Sequence, residues 1–434
     1  MRARKWIFGG LLIVAVGIIA ITVITLRTND KREQSKLDDA IARAESLGIP
    51  VYASQLQQDP IPDEENAWIV MIEIGRLFDE HEDYYSYYSD VSRIYNREEF
   101  LESAESAIKL WEPVYQQIEQ LKTKDKYVPN RDWDRGMALL MPSLFSSKYV
   151  VDALRVRARY KLFNDDIAGS VEDLNTAQQF TRLMRTESHL HGAAIWMRLE
   201  NVLATELVFH ARSSSSQEHS SQLKSVLSSL FQPVDARAVY KQETALFLNA
   251  LRMVSDDDED GNEIRKEIDD MDGHSIAGKL AGSSLTPRKA LKFEAMGIEA
   301  ACDYYESLSP DVRDYLANDA SYAHFVELPT GWEEEGFPYG FIEIMKALDV
   351  IGSSMDDRPY GKLARHALEG EQYQKAFAIA TGSVTLTDGA KWYSRLIVDA
   401  EFEYLEYEGG FSITATAPDI DPRTHKFAHD SRTE

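Results

Sequence analysis

The strongest pattern in the chain is a run with no polar face. Trp6 to Leu26 reads WIFGGLLIVAVGIIAITVITL; it carries no charge, and its only polar side chains are Thr22 and Thr25. A helix over that run spans about 30 Å, the hydrocarbon thickness of a bilayer. The apolar stretch of a cleaved signal peptide is shorter, about 7–15 residues, and ends at a small-residue site. Here the run ends in Ile24-Thr25-Leu26, with no following Cys to direct lipoprotein processing. The segment predicts an uncleaved transmembrane anchor.

Beyond it, apolar residues recur every three or four positions, the mark of helices buried on one side. Glu33 to Leu47 reads as a helix stopped by Gly48 ahead of Pro50, and Gln57 to Asp63 as a turn-rich break. Asp63 is placed to cap a helix from Glu64 into the apolar run Ala67 to Ile72. Further helices are predicted over Arg97–Leu121, Tyr149–Phe163, Ile167–Leu183, His189–Arg212, Pro233–Val254, Pro287–Leu308, Pro310–Ala317, Gly340–Val350 and Lys362–Ala380. Lys122–Asn130 is a loop, Ser213–Ser221 a flexible linker and Asp256–Asp272 an acidic interruption. Near the end the period changes to two: Glu401–Tyr407 and Phe411–Ala415 alternate on either side of Gly409-Gly410, a β-hairpin pattern. The tail from Pro418 is polar and expected to be loose.

The predicted fold is therefore mainly α: an N-terminal transmembrane helix, a body of antiparallel helical hairpins packed as a bundle or irregular solenoid, and a small C-terminal β-hairpin. The divisions are a basic cytoplasmic tail (1–5), the anchor (6–26), a juxtamembrane helix (30–48), a helical domain (60–255) and an acidic linker (256–285). A second helical region (286–400), the hairpin (401–416) and a flexible tail (417–434) follow.

Charge sharpens this picture. The 434 residues carry 47 Lys+Arg against 72 Asp+Glu, a formal net charge of -25. The first 32 residues hold six of the bases and one acid, which leaves the rest at -30. Such a body stands off anionic head groups and is a poor match for nucleic acid, whose phosphates need clustered Lys/Arg. Arg2, Arg4 and Lys5 favour a cytoplasmic start and an extracytoplasmic body, although Arg27, Lys31 and Arg32 make the other flank basic too. A single Cys excludes a disulfide framework and a multi-cysteine metal site.

Within the pair Tyr149–Phe163 and Ile167–Leu183, Leu154, Ala158, Ser170, Leu174 and Ala177 occupy the packing positions of a tetratricopeptide-like helical hairpin, broken by Asn164-Asp165-Asp166. Lys161 and Arg182 replace that repeat's usual aromatic and proline. Ala364–Ala380 carries a fainter echo of the turn and second helix, through Gly370, Tyr373 and Ala376. The layout as a whole resembles a class of uncharacterised single-pass, membrane-anchored α-helical bacterial proteins of planctomycete type. The features shared are the basic start, the anchor, Pro62-Asp-Glu-Glu-Asn-Ala67, the helical body and the helix–Asp-Asp–helix hairpin. The resemblance implies an architecture and no established activity.

One motif points to a metal. Asp256 to Glu267 (DDDEDGNEIRKE) follows the formal calcium loop of the EF-hand: Asp256, Asp258 and Asp260 as oxygen donors, Gly261 at the turn, Asn262 offering its carbonyl, Glu267 bidentate. Glu263 stands where that loop has an aliphatic residue, and no second loop pairs with it; an acidic solvated linker is the competing reading. Gly273–Leu280 falls short of a phosphate loop because Leu280 replaces the magnesium-binding hydroxyl, so no nucleotide is expected. His189 and His191 lie two apart and so on different faces of a helix. Cys302, in an Ala-Ala-Cys run, reads as a small buried residue, and the tyrosines at 84, 85, 87 and 88 as a partly buried helix end. Asp132-Trp133-Asp134 and Trp332–Glu335 pair aromatics with carboxylates, as glycosidase clefts do, but a protein this acidic produces such pairs by chance. The expectation is an interaction or structural module of the cell envelope, held by lipid contact through residues 6–26 and serving a protein partner. The alternatives are an envelope hydrolase with a carboxylate-based site and a calcium-dependent structural module.

Overall fold

The computed structural model describes residues 31–80, 96–131, 142–187, 190–213, 216–232, 287–307, 359–394, 400–407, 410–417 and 420–428, with single positions around 91–94, 133 and within 238–249. The predicted anchor (6–26) and calcium loop (256–267), the tyrosines at 84–88 and the motifs at 273–280 and 332–335 lie outside these residues. Among the described residues no helix is long and apolar enough to cross a membrane.

The described helices are α1 (31–46), α2 (Ala67–Glu80), α3 (Arg97–Leu110), α4 (Glu112–Leu121), α5 (Pro142–Phe163), α6 (Ile167–Met184), α7 (Leu190–Ser213), α8 (Gln217–Ser229), α9 (Pro287–Ser307) and α10 (Pro359–Ala380). Four strands follow: β1 (Lys391–Tyr393), β2 (Glu401–Tyr407), β3 (Gly410–Ala417) and β4 (Ile420–Ala428). The protein is mainly helical with a small C-terminal antiparallel sheet, in the order β1-β2-β3-β4.

The α5–α6 hairpin forms as its sequence predicts. Asp165 takes a positive φ (62°), and the Asp166 side chain caps α6 by accepting from the Gly169 N–H at 3.0 Å. Leu154, Ala158, Ser170, Leu174 and Ala177 are all fully buried, the small residues letting the helices close on one another. α2 and α3 pack on α5, α4 packs on α2 and reaches α5 through Tyr115 OH, which donates to the Ala153 carbonyl at 3.0 Å, and α7 packs along α5 and α6.

Several expectations need correction. Arg97–Leu121 is two helices rather than one, turning at Trp111, because Pro113 has no N–H for the ladder and its ring crowds the preceding turn. The linker at Ser213–Ser221 is mostly helix: α7 runs through Ser213, and Ser216 caps α8 by accepting from the His219 N–H at 3.3 Å. Ala364–Ala380 lies inside one continuous helix, so its turn-like spacing marks no turn. The terminal hairpin is half of a four-stranded sheet. The short β1 lies within the region expected to be helical, and β4 within the supposedly loose tail. β4 was hidden by its polarity. It contributes Phe427, opposite Phe411, to a buried face with Phe402, Tyr404, Ile413 and Ala415, while Thr424 faces Thr414 across the other side.

Asp63 does not open α2. The helix starts at Ala67, and the motif before it docks the 122–130 loop. Lys124 Nζ donates to the carbonyls of Asp63 and Glu64 at 2.8 and 2.9 Å, and Lys126 pairs with Glu65 at 2.6 Å. Asn66 Oδ1 accepts from the N–H groups of Trp68 and Val128, and its Nδ2 donates to the Val128 carbonyl. Asn66→Ala strands these backbone groups in a nearly buried place, so we expect a loss of about 1–3 kcal/mol in denaturant unfolding. A loss below about 0.5 kcal/mol, the range of ordinary surface changes, would contradict this role.

The main core joins α2 through α8, α10 and the inner face of the sheet. A second, smaller core joins α1 (Leu37, Ala40, Ala44), Ile49, Val51 and Leu248 to α9 (Ala295, Ile298, Cys302), where Cys302 is buried as its setting predicts. Arg43 of α1 closes that contact on its exposed side with Glu299, Asp303 and Glu306 of α9, at 2.5–2.7 Å.

Candidate functional site

Helix α7 touches α5, α6, α8, α10 and β4, so most of its circumference is interior. Its apolar residues, Trp196, Leu199, Leu203, Leu207 and Val208 among them, are buried; so are Glu200 and Glu206 (at most 1% exposed) and His210 (0%). Charges taken that far from water must find partners. They do so in two clusters, one toward α5 and one toward α10.

In the first, Arg155 and Arg159 of α5, four residues apart and so on one helix face, converge on Glu206. Arg159 places Nε 2.9 Å from Oε1 and Nη2 2.5 Å from Oε2; Arg155 Nη2 lies 3.2 Å from Oε2 and its Nη1 2.6 Å from Asp152. Two guanidiniums thus face two carboxylates. Burial alone would raise the Glu206 carboxyl, but Arg159, His210 and Arg155 hold it well below the usual range. Burial pushes Asp152 up to about 7 against the pull of Arg155. His210 lies between Ser170 and Glu206, with Nδ1 3.1 Å from Ser170 Oγ and Nε2 3.2 Å from Glu206 Oε1. Burial, only partly opposed by Glu206, keeps its ring neutral, and the partners then fix the tautomer: Nε2–H donates to Glu206 and Nδ1 accepts from Ser170.

Ser170, His210 and Glu206 are the residue types of a nucleophilic triad. Here all three are sealed, and the carboxylate is committed to two arginines. The set fixes the seam between α5, α6 and α7 and offers a substrate no approach.

The second cluster lies between α7, α10 and β4. Glu200 accepts from Arg185 Nε (2.7 Å) and from the Phe231 N–H (2.9 Å), and pairs with His366 Nε2 (2.8 Å). Burial works against its charge, yet His366 and Arg185 hold its pKa below normal. Nearer the surface, Glu369 accepts from Asn201 Nδ2 (2.6 Å) and stands 3.7 Å from His425 Nε2. Tyr373 OH bridges His425 Nδ1 (3.2 Å) and Thr205 Oγ1 (3.0 Å). Phe231 wedges between the two Glu–His pairs, its ring 4.8 Å from that of His366 and 5.6 Å from that of Tyr373. Its φ is 54°, a left-handed conformation unusual for a bulky residue, which aims its N–H at Glu200 and seats its Cβ against Gly370.

None of these residues stood out in the sequence as a site. The readable signal was charge inside otherwise apolar helical stretches: Arg155 with Arg159, and Glu206 with His210, each pair four apart. Of the residues that did stand out, Asp256, Asp258, Asp260, Asn262 and Glu267 lie outside the described residues, as do Asp132, Asp134 and His189. Trp133 is buried under the Arg131 guanidinium at 5.5 Å. Among the described residues no group of three or more His, Cys, Asp or Glu is arranged to hold a metal ion. The two clusters together define a mainly helical protein organised around a central charged helix. Comparison with protein-family models, curated proteins and solved structures gives no match to this chain.

Proposed function

We propose that this chain is a single-pass membrane protein whose helical body, on the extracytoplasmic side, serves as an interaction or structural module of the cell envelope. The observation that carries the reading is the uncharged run Trp6–Leu26 between basic flanks. The inward commitment of the charged groups supports a module over an enzyme. Glu206 is held by Arg155 and Arg159, and Glu200 by Arg185 and His366, so these side chains lock helices together.

The test is fractionation of cells expressing the full chain or a variant lacking residues 6–26. The full chain is expected in the membrane pellet after alkaline carbonate extraction, with its body cleaved by protease added outside the cytoplasmic membrane. The shortened form is expected in the soluble fraction. Full-length chain released by carbonate, or a body protected from external protease, overturns the placement. Cross-linking in intact envelopes then tests the role: the module reading expects a discrete cross-linked protein partner, and its absence speaks against that reading.

A further inference from the structure

His219 is the third residue of α8, and its ring is turned inward under the helix, 1% exposed. Among the described residues, neither Nδ1 nor Nε2 has a hydrogen-bond partner. An apolar side chain would fill this place without stranding two polar atoms, so histidine is a costly choice as long as it stays neutral. The ring lies edge-on to that of His210, with centroids 6.3 Å apart.

Among the described residues, the charged groups of the elements packed against this ring are engaged elsewhere. α8 packs on α6, α7 and α10. From α7, His210 has both nitrogens occupied, by Ser170 of α6 and by Glu206. The Glu206 charge is already matched by Arg155 and Arg159, which add positive charge behind it. On α6, Asp166 caps its own helix and Asp173 is taken by Arg157 and Lys161. On α10, His366 is bound to Glu200 and Glu369 to Asn201 and His425, while Arg365 and Glu371 are themselves buried. Within α8, Glu218 points to solvent, and the first turn of a helix is the positive end of its dipole.

We propose that His219 is a proton-operated latch: neutral, it lets α8 dock on α6 and α7; protonated, it drives the first turn of α8 out and loosens the helix. What opens is the apolar face of Leu223, Val226 and Leu227, together with the Ser170–His210 seam. Burial holds the pKa of His219 down at about 4, against an ordinary 6.5. A depressed histidine favours the docked state fully above pH 6.5. That advantage falls as pH drops below 6.5 and is exhausted near 4, by about tenfold in the docked-to-open ratio per pH unit.

The test is amide hydrogen exchange on the full chain in detergent at pH 7.5 and 5.0, corrected for intrinsic exchange. Protection of the α8 amides is expected to fall about 30-fold at the lower pH, while α5 keeps its protection. His219→Leu is expected to hold α8 equally well at both. If that variant does not fold, His219→Gln, which also takes no charge, replaces it with the same expectation. Unchanged α8 protection in the natural chain overturns the proposal. So does an equal acid loss in either variant, which would place the response on His210 or elsewhere.

Discussion

Glu206→Ala is expected to cost about 3–5 kcal/mol of unfolding free energy, because it leaves Arg155 and Arg159 buried without their shared carboxylate. Whole domains are commonly stable by only about 5–15 kcal/mol, so a lowered melting temperature and poor soluble yield should accompany the loss. Asp152 is no substitute. It already faces Arg155, and burial holds its pKa at about 7, so near neutrality it is an incomplete counter-charge. His210 also loses its acceptor, and with it the bond that orients its ring toward Ser170. Glu206→Gln keeps the shape and some acceptor capacity and should lose less. Denaturant unfolding of the two variants against the natural chain is the measurement. An alanine effect under about 1 kcal/mol would show that Glu206 is more solvated than its burial indicates.

The second large effect is expected at Gly370. A methyl group there would lie 2.7 Å from Phe231 Cβ and 2.8 Å from its Cγ, closer than carbon atoms approach. Gly370→Ala should therefore cost about 1–3 kcal/mol even though alanine is the better helix former. The clash is with one side chain, so it can be isolated. Phe231→Gly removes the ring and suits the positive φ at that position. In the double variant the penalty of the added methyl should shrink to nearly nothing. Additive losses in this double-mutant cycle would mean that Gly370 serves some purpose other than admitting Phe231.

The helical body is legible in the sequence because helix spacing and helix capping are local. Leu154, Ala158, Leu174 and Ala177 follow the expected spacing, and Asp166 has the right side chain at the right step to cap α6. β2 was legible for a similar reason: Phe402 and Tyr404 alternate with Glu401 and Glu403. What stayed hidden depends on distant partners. Glu206 looks like a surface residue until Arg155 and Arg159, some 50 positions earlier, are placed beside it. β4 has Pro, Arg, His and Lys where an isolated strand would show apolar alternation, and only its pairing with β3 makes it a strand. The serines of 213–221 suggested a tether, although Ser216 is a helix cap and Gln217 already begins α8. Glu200, His366, Glu369 and His425 form one cluster only because α7, α10 and β4 meet, and no spacing in the chain announces that meeting.

The contact between α1 and α9 sets an order on the birth of the protein. Arg43 reaches Glu299 and Glu306 across 256 and 263 positions of chain. At ribosomal speeds of about 5–20 residues per second, the first described helix waits about 13–50 s for the segment that completes its apolar side. Through that interval Leu37, Ala40 and Ala44 lack the α9 half of their small core, while the α2–α8 part of the larger core has been synthesised and its α10 and sheet residues are still to come. Helix α1 thus settles only after α2 through α8 have been made, and a chaperone attending synthesis would find its exposed stripe there.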